Sequence, residues 1–216
     1  VFRSHNPGKR AVCVKLLPPE VQHDLTELGR VREMFQKVHA LQHQHLCPVY
    51  LLGSDPLCGE FLVMKYIDGQ TLSEYRRSYV EQHGEFPLTE VVRVLTPVAE
   101  ALDYVHSQGL IHRDVKPANI MVSRDGQTVQ VVDLGLAAEI QGSMNRVSKG
   151  ARDIAGTAPY MAPEQLNGDP LDGKCDQYAL PRNVVRGRRC FLAEKFGPIP
   201  QDDLDLSSDE FEKRLV

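Results

Sequence analysis

Residues 109–122 read GLIHRDVKPANIMV, and residues 131–135 read VVDLG. His112, Arg113, Asp114, Lys116 and Asn119 are crowded between two apolar runs, and Asp133 closes the next one. A turn between strands collects charge and proline, but it does not need a cation, an amide and two carboxylates in fixed order. Phosphoryl transfer from a nucleotide does. It asks for cations on the phosphates, hard oxygen ligands for Mg²⁺ and a carboxylate at the attacking hydroxyl. Asp114 can accept the proton, Asn119 and Asp133 can hold the metal, and Lys116 can neutralise phosphate charge.

Outward from this stretch, NIMV (119–122) and TVQVVD (128–133) are expected to be strands, joined through SRDGQ, whose Asp-Gly is a hairpin signal. Upstream, Val91, Leu95, Val98, Leu102 and Val105 share one helical face, with Pro97 expected to bend the helix and Gly109 to stop it. IDG (67–69) reads as a turn. Further back, AVCVKLL (11–17) and GEFLVMKYI (59–67) have the β-branched, apolar character of strands. Between them Leu28, Val31, Met34, Phe35, Val38 and Leu41 recur at helical spacing over about four turns. Downstream, residues 138–158 lack periodicity and read as a long loop. The last 36 residues, 181–216, begin basic, end acidic and sustain no apolar face.

Bulk composition narrows the class. The 216 residues include 25 Lys plus Arg against 29 Asp plus Glu, a net charge of −4, so no basic excess advertises a nucleic-acid surface. No run approaches the ~18 to 20 apolar residues of a membrane span. Five cysteines form no CxxC pair and no closed disulfide set, which fits a reducing, cytoplasmic setting. Cys13 and Cys47 lie in apolar runs and read as small core residues. The histidines between 39 and 45 have no metal-like spacing with a cysteine, so no zinc is expected.

HRDVKPAN, VVDLG, GTAPYMAPE (156–164) and the Lys of AVCVK stand in the order that marks protein kinases, and the chain resembles that family over about residues 1–180. Its nearest likeness is to the eukaryotic-like serine/threonine kinases of bacteria; Lys116 and Thr157 support the Ser/Thr branch. The resemblance implies an α+β, two-lobed fold: residues 1–66 as a partial N-terminal lobe, 67–180 as a partial C-terminal lobe, and 181–216 as a tail unlike a kinase. It implies transfer of the γ-phosphoryl of Mg-ATP to Ser or Thr of a protein substrate. Asp114 would be the catalytic base and Lys116 the phosphate-side cation. Asn119 and Asp133 would be the Mg²⁺ ligands, and Lys15 the ATP-phosphate lysine. Met64 would gate the adenine pocket, and the backbones of Lys65 and Ile67 would meet the adenine edge. Val1 would end the phosphate loop. His112 and Leu134 read as packing, while Arg113 implies an activation loop ordered by phosphorylation, with Ser143 and Ser148 as acceptors.

The chain departs from the family pattern in three places. VFRS (1–4) resembles the end of the glycine-rich loop, with the first strand and the glycines expected to be absent. The helix carboxylate that should pair with Lys15 falls at Met34, and Glu33 and Glu27 are the displaced alternatives. KCDQYAL (174–180) resembles the start of the long buried helix of the C-terminal lobe, yet Pro181 and four arginines follow it by residue 189. A fold incomplete at both ends and marginally stable is therefore expected. Two other functions stay open: a catalytically impaired kinase-like binding module or truncated gene product, and a small-molecule phosphotransferase, which APYMAPEQ argues against.

Overall fold

The computed structural model describes residues 2–5, 11–134 and 158–180. Strands β1 (Phe2–His5), β2 (Ala11–Leu16), β3 (Val49–Asp55) and β4 (Gly59–Lys65) form an antiparallel sheet in the order β1-β2-β4-β3. Its register sets Cys13 opposite Met64 and Val12 opposite Lys65, so the end of β4 lies beside the start of β2. β3 was not foreseen from the sequence. A register shift between Val49 and Leu51 breaks its alternation, and Tyr50 and Leu51 are left about half exposed.

The short helix α1 (Pro19–Gln22) leads into α2 (Leu25–His39), which the Asp24 carboxylate caps by accepting from the amides of Thr26 and Glu27 at 2.9 and 3.1 Å. α2 buries Leu28, Val31, Phe35 and Val38. Each such side chain is worth about 1.5–3 kcal/mol in removal from water before ordering entropy is counted. The helix ends at His39, two residues before the Leu41 that periodicity would include, and Leu41 still packs against the core from the following loop.

A second antiparallel sheet, β5-β6-β7, carries the end of the 109–122 stretch: β5 (Gly69–Thr71), β6 (Ile120–Ser123) and β7 (Val129–Val131). Gly69 opens a strand where the sequence suggested a turn; a Cβ there would lie 2.1 Å from the Val122 carbonyl oxygen, so only glycine fits. Helix α3 (Leu72–His83) begins at a capping box between Thr71 and Glu74. Helix α4 (Leu88–Ser107) runs unbroken through Pro97 and buries Val91, Val94, Val98, Ala101, Leu102 and Val105. Gly109 follows at φ +71°, the left-handed residue that releases the chain from the helix.

Residues 42–47 tie the two sheets together. His45 and Cys47 exchange backbone bonds with Val131 at 2.8 and 2.9 Å, the His43 ring stacks on Tyr104 of α4, and the Gln42 amide donates to the Tyr104 hydroxyl. Farther along lie α5 (Pro163–Asn167) and α6, a helix over residues 174–180. The 138–158 loop, apart from its last residue, and the 181–216 tail fall outside the described residues.

Candidate active site

The 109–122 stretch is held by buried polar groups. After α4 the chain passes Leu110 and Ile111 to His112, which is fully buried. The His112 ring accepts from the Asp114 amide at 3.2 Å and its other nitrogen meets the Val132 carbonyl at 3.2 Å, so it is a bracket between the Asp114 segment and the end of β7 and not packing alone. Below it, Asp176 of α6 is 1% exposed and accepts from the amides of His112 and Arg113 at 2.9 and 2.8 Å. His106 of α4 reaches the same carboxylate at 2.8 Å. A buried carboxylate is stable only with such donors.

Arg113 sits at φ +66°, a left-handed conformation that costs a non-glycine residue about 1–2 kcal/mol. Its amide is bound by Asp176, and its carbonyl accepts from the Gln165 side chain of α5 at 2.8 Å. The strain is thus fixed from both sides, and it turns the next residue, Asp114, into the site. Asp133 stands at φ +59° at the exit of β7 in the same manner.

Asp114 is 6% exposed. Its Oδ2 receives Lys116 Nζ at 2.9 Å and Asn119 Nδ2 at 2.8 Å, while the same Asn119 nitrogen also donates to the Asp114 carbonyl at 2.8 Å. Both contacts of that nitrogen are to oxygens, which fixes the amide orientation and leaves Asn119 Oδ1 as an acceptor. Among the described residues, Asp114 Oδ1 is buried without a hydrogen-bond partner. In a native interior such an atom marks a place for an incoming donor.

Opposite, Lys15 on β2 pairs with Asp133, Nζ to Oδ2 at 2.8 Å, with the two side chains 22% and 24% exposed. Neither expected helix carboxylate takes that role. Glu33 is bonded to Lys37 at 2.9 Å on the outer face of α2, and the buried Glu27 is bonded to Arg30 at 2.8 Å. The 100° step between helical neighbours turns Glu33 outward and leaves Met34 on the inner side, packed against the core.

Met64 is buried in the core at the end of β4, and Lys65 and Ile67 follow it into the connection toward β5. Cys13 and Cys47 both pack partly buried against the core. Burial pushes the Cys47 thiol up to about 12, which keeps it protonated and unreactive near neutral pH. Val1, Ser143, Ser148 and Thr157 lie outside the described residues. Leu134 is buried in the core beside Asp133. Sequence reasoning did not single out Asp176, His106, Gln165 or Gln130. A lone acid inside the apolar register of KCDQYAL was the available signal for the first of them.

The model of the protein kinase domain matches residues 1–186. The chain belongs to the protein kinase family. It is 38% identical over 176 residues to the serine/threonine-protein kinase PknB of Mycobacterium tuberculosis, covering 79% of this chain and 27% of that protein. To the probable serine/threonine-protein kinase SCO3848 of Streptomyces coelicolor it is 35% identical over 183 residues, covering 83% of this chain and 26% of that protein. The chain therefore spans about a quarter of the length of the curated relatives it matches. Among solved structures, the Mycobacterium tuberculosis PknI kinase domain superimposes with a TM-score of 0.67 at 28% identity, over 86% of this chain and 67% of that one. The maize SIRK1 kinase domain bound to AMP-PNP shares the fold alone, with a TM-score of 0.66 at 20% identity over 86% of this chain and 63% of that one.

Proposed function

We propose that this chain carries the catalytic apparatus of a serine/threonine protein kinase that moves the γ-phosphoryl group of ATP to a protein hydroxyl. The observation that carries this reading is the buried, unpartnered Asp114 Oδ1 beside an Oδ2 already held by Lys116 and Asn119. A carboxylate gripped on one oxygen and open on the other is oriented to accept one proton. That proton comes from the Ser or Thr hydroxyl as its oxygen bonds to phosphorus and the bond to the ADP oxygen breaks.

The donor set fits a hard divalent cation: Asp133 offers a carboxylate and Asn119 an amide oxygen, both suited to Mg²⁺. Magnesium, when bound, would draw negative charge off the phosphates. Lys15 supplies the cation on the sheet side once it leaves Asp133, and Lys116 supplies the one beside the hydroxyl. A Ser/Thr hydroxyl as acceptor is favoured by Lys116 two residues beyond Asp114, and by the likeness to relatives named as serine/threonine kinases.

The test is transfer of labelled phosphate from ATP to a mixed Ser/Thr peptide library by the chain and by Asp114→Asn. Transfer that falls by about 10² to 10⁴ in the variant supports the base role. Equal transfer by both proteins would remove it. One observation favours a second reading, a binding module that holds nucleotide without transfer: Lys15 is bonded to a metal-ligand candidate and to no helix carboxylate. Mg-ATP binding with no phosphate moved to any peptide would favour that reading.

A further inference from the structure

Gln130 is a polar side chain where strand logic calls for an apolar one. It is the central residue of β7, it is 4% exposed, and its neighbours Val129 and Val131 are buried on the opposite face. A primary amide that deep is tolerated only when its donors and acceptor are matched. Its Oε1 accepts from Lys65 Nζ at 2.9 Å, and its Nε2 donates to the carbonyls of Gln44 and Leu46 at 3.0 and 3.1 Å.

These partners share a location. Lys65 is the last residue of β4 and the first of the connection between the two sheets, the hinge. The Lys65 amide donates to the Pro48 carbonyl at 2.9 Å, and its carbonyl accepts from the Cys47 thiol at 3.5 Å. Segment 44–48 thus grips the hinge backbone, while Gln130 grips both that segment and the Lys65 side chain. No carboxylate forms an ion pair with Lys65 among the described residues, so a neutral amide is the group that receives its ammonium.

We infer that Gln130 is a positioning residue for the hinge, fixing the Lys65 backbone through its bonds to Lys65 Nζ and to the 44–46 carbonyls. Under the nucleotide reading above, on which this consequence rests, that backbone meets the adenine edge, and Gln130 sets ATP affinity from behind the pocket without touching ATP. Loosening it would raise the KM for ATP and leave kcat unchanged, because the groups around Asp114 are not moved.

Hydrogen exchange of the nucleotide-free 216-residue chain tests the positioning directly. Gln130→Leu keeps the volume and removes all three bonds; Lys65→Met removes only the one to Nζ at a partly buried position. The expected result is exchange about tenfold faster at 65–67 in both variants. Segment 44–48 should also loosen in Gln130→Leu, with α4 unchanged, and Lys65→Arg, which keeps a donor, should exchange as wild type does. Unaltered exchange at 65–67 in Lys65→Met would overturn the inference, as would a uniform rise that includes α4 in Gln130→Leu. ATP titration of the same proteins then separates the two readings. A wild-type chain that binds no ATP defeats the nucleotide reading while the exchange result still judges Gln130. Binding by wild type with equal affinity in both variants defeats the consequence for ATP.

Discussion

The two walls of the site are held in opposite ways. On the catalytic side, Asp114, Asn119, His112 and Asp176 are all buried and joined through side chains and backbone amides into one network reaching from α4 to α6. On the sheet side, Lys15 and Asp133 form one partly exposed pair, and the carboxylates of α2 are engaged elsewhere. Under the proposed phosphoryl transfer, the groups that would be oriented for the proton are preorganised, which is where electrostatic preorganisation matters. On the same reading, the groups that would exchange partners on nucleotide binding are held by a single partly exposed pair.

The largest effect that follows from this contrast belongs to Asp176. Replacing it with Ala would leave two backbone amides and His106 without their buried acceptor, at a cost of about 3–5 kcal/mol. Urea unfolding should place Asp176→Ala far below wild type or show no cooperative transition. Lys15→Met on the other wall should cost roughly 0–1 kcal/mol, since a pair this exposed is screened by solvent. Similar losses for the two variants would erase the distinction between the walls.

Next in size is a change in chemistry without a change in fold. Asp114→Asn should lower phosphate transfer by about 10² to 10⁴ while moving the unfolding midpoint little, because Asn still accepts from Asn119 and Lys116. Smaller again is Met34→Glu. If Met34 occupies the inner face that a lysine partner needs, the new carboxylate should draw Lys15 from Asp133 and raise Mg-ATP affinity several-fold. Tighter binding in a titration would sharpen the contrast. A lower melting temperature with unchanged affinity would show that the sheet wall is not limited by that pair.

Much of this arrangement was legible in the sequence because the candidate site residues are close together there. Asp114, Lys116 and Asn119 occupy six consecutive positions, so local geometry nearly suffices to join them. Lys15 and Asp133 are 118 residues apart, and only the sheet registers bring them together. The Lys15 partner was not legible for that reason: α2 carries two carboxylates within reach by count, but helical phase turns Glu33 outward and the buried Glu27 is held by Arg30. Asp176 and Gln130 escaped because their role depends on the burial of one polar atom, which periodicity does not report. β3 escaped because its register shift removes the alternation by which a strand is read.

The smallest effect lies away from the site, at the Glu90–Arg93 pair of α4 that Tyr75 of α3 bonds to. Glu90 accepts from Tyr75 at 2.6 Å and is chelated by Arg93, whose guanidinium also donates to the Gly126 carbonyl in the hairpin between β6 and β7. Hydrogen bonds from Arg93, more than any other cause, hold the Glu90 carboxyl below its ordinary value. A carboxyl lowered in the folded state binds fewer protons there than in the unfolded chain. Its contribution to stability is therefore complete above the unfolded value near 4.5 and is lost as pH falls through the lower folded one. Melting temperatures of wild type and Glu90→Gln should differ most at pH 6 and converge toward pH 3, with wild type the higher. A constant gap across that range would show that Arg93 is held by Tyr75 and Gly126 alone. The hairpin between β6 and β7 would then be braced by Arg93 through its bonds to the neutral Tyr75 hydroxyl and Gly126 carbonyl.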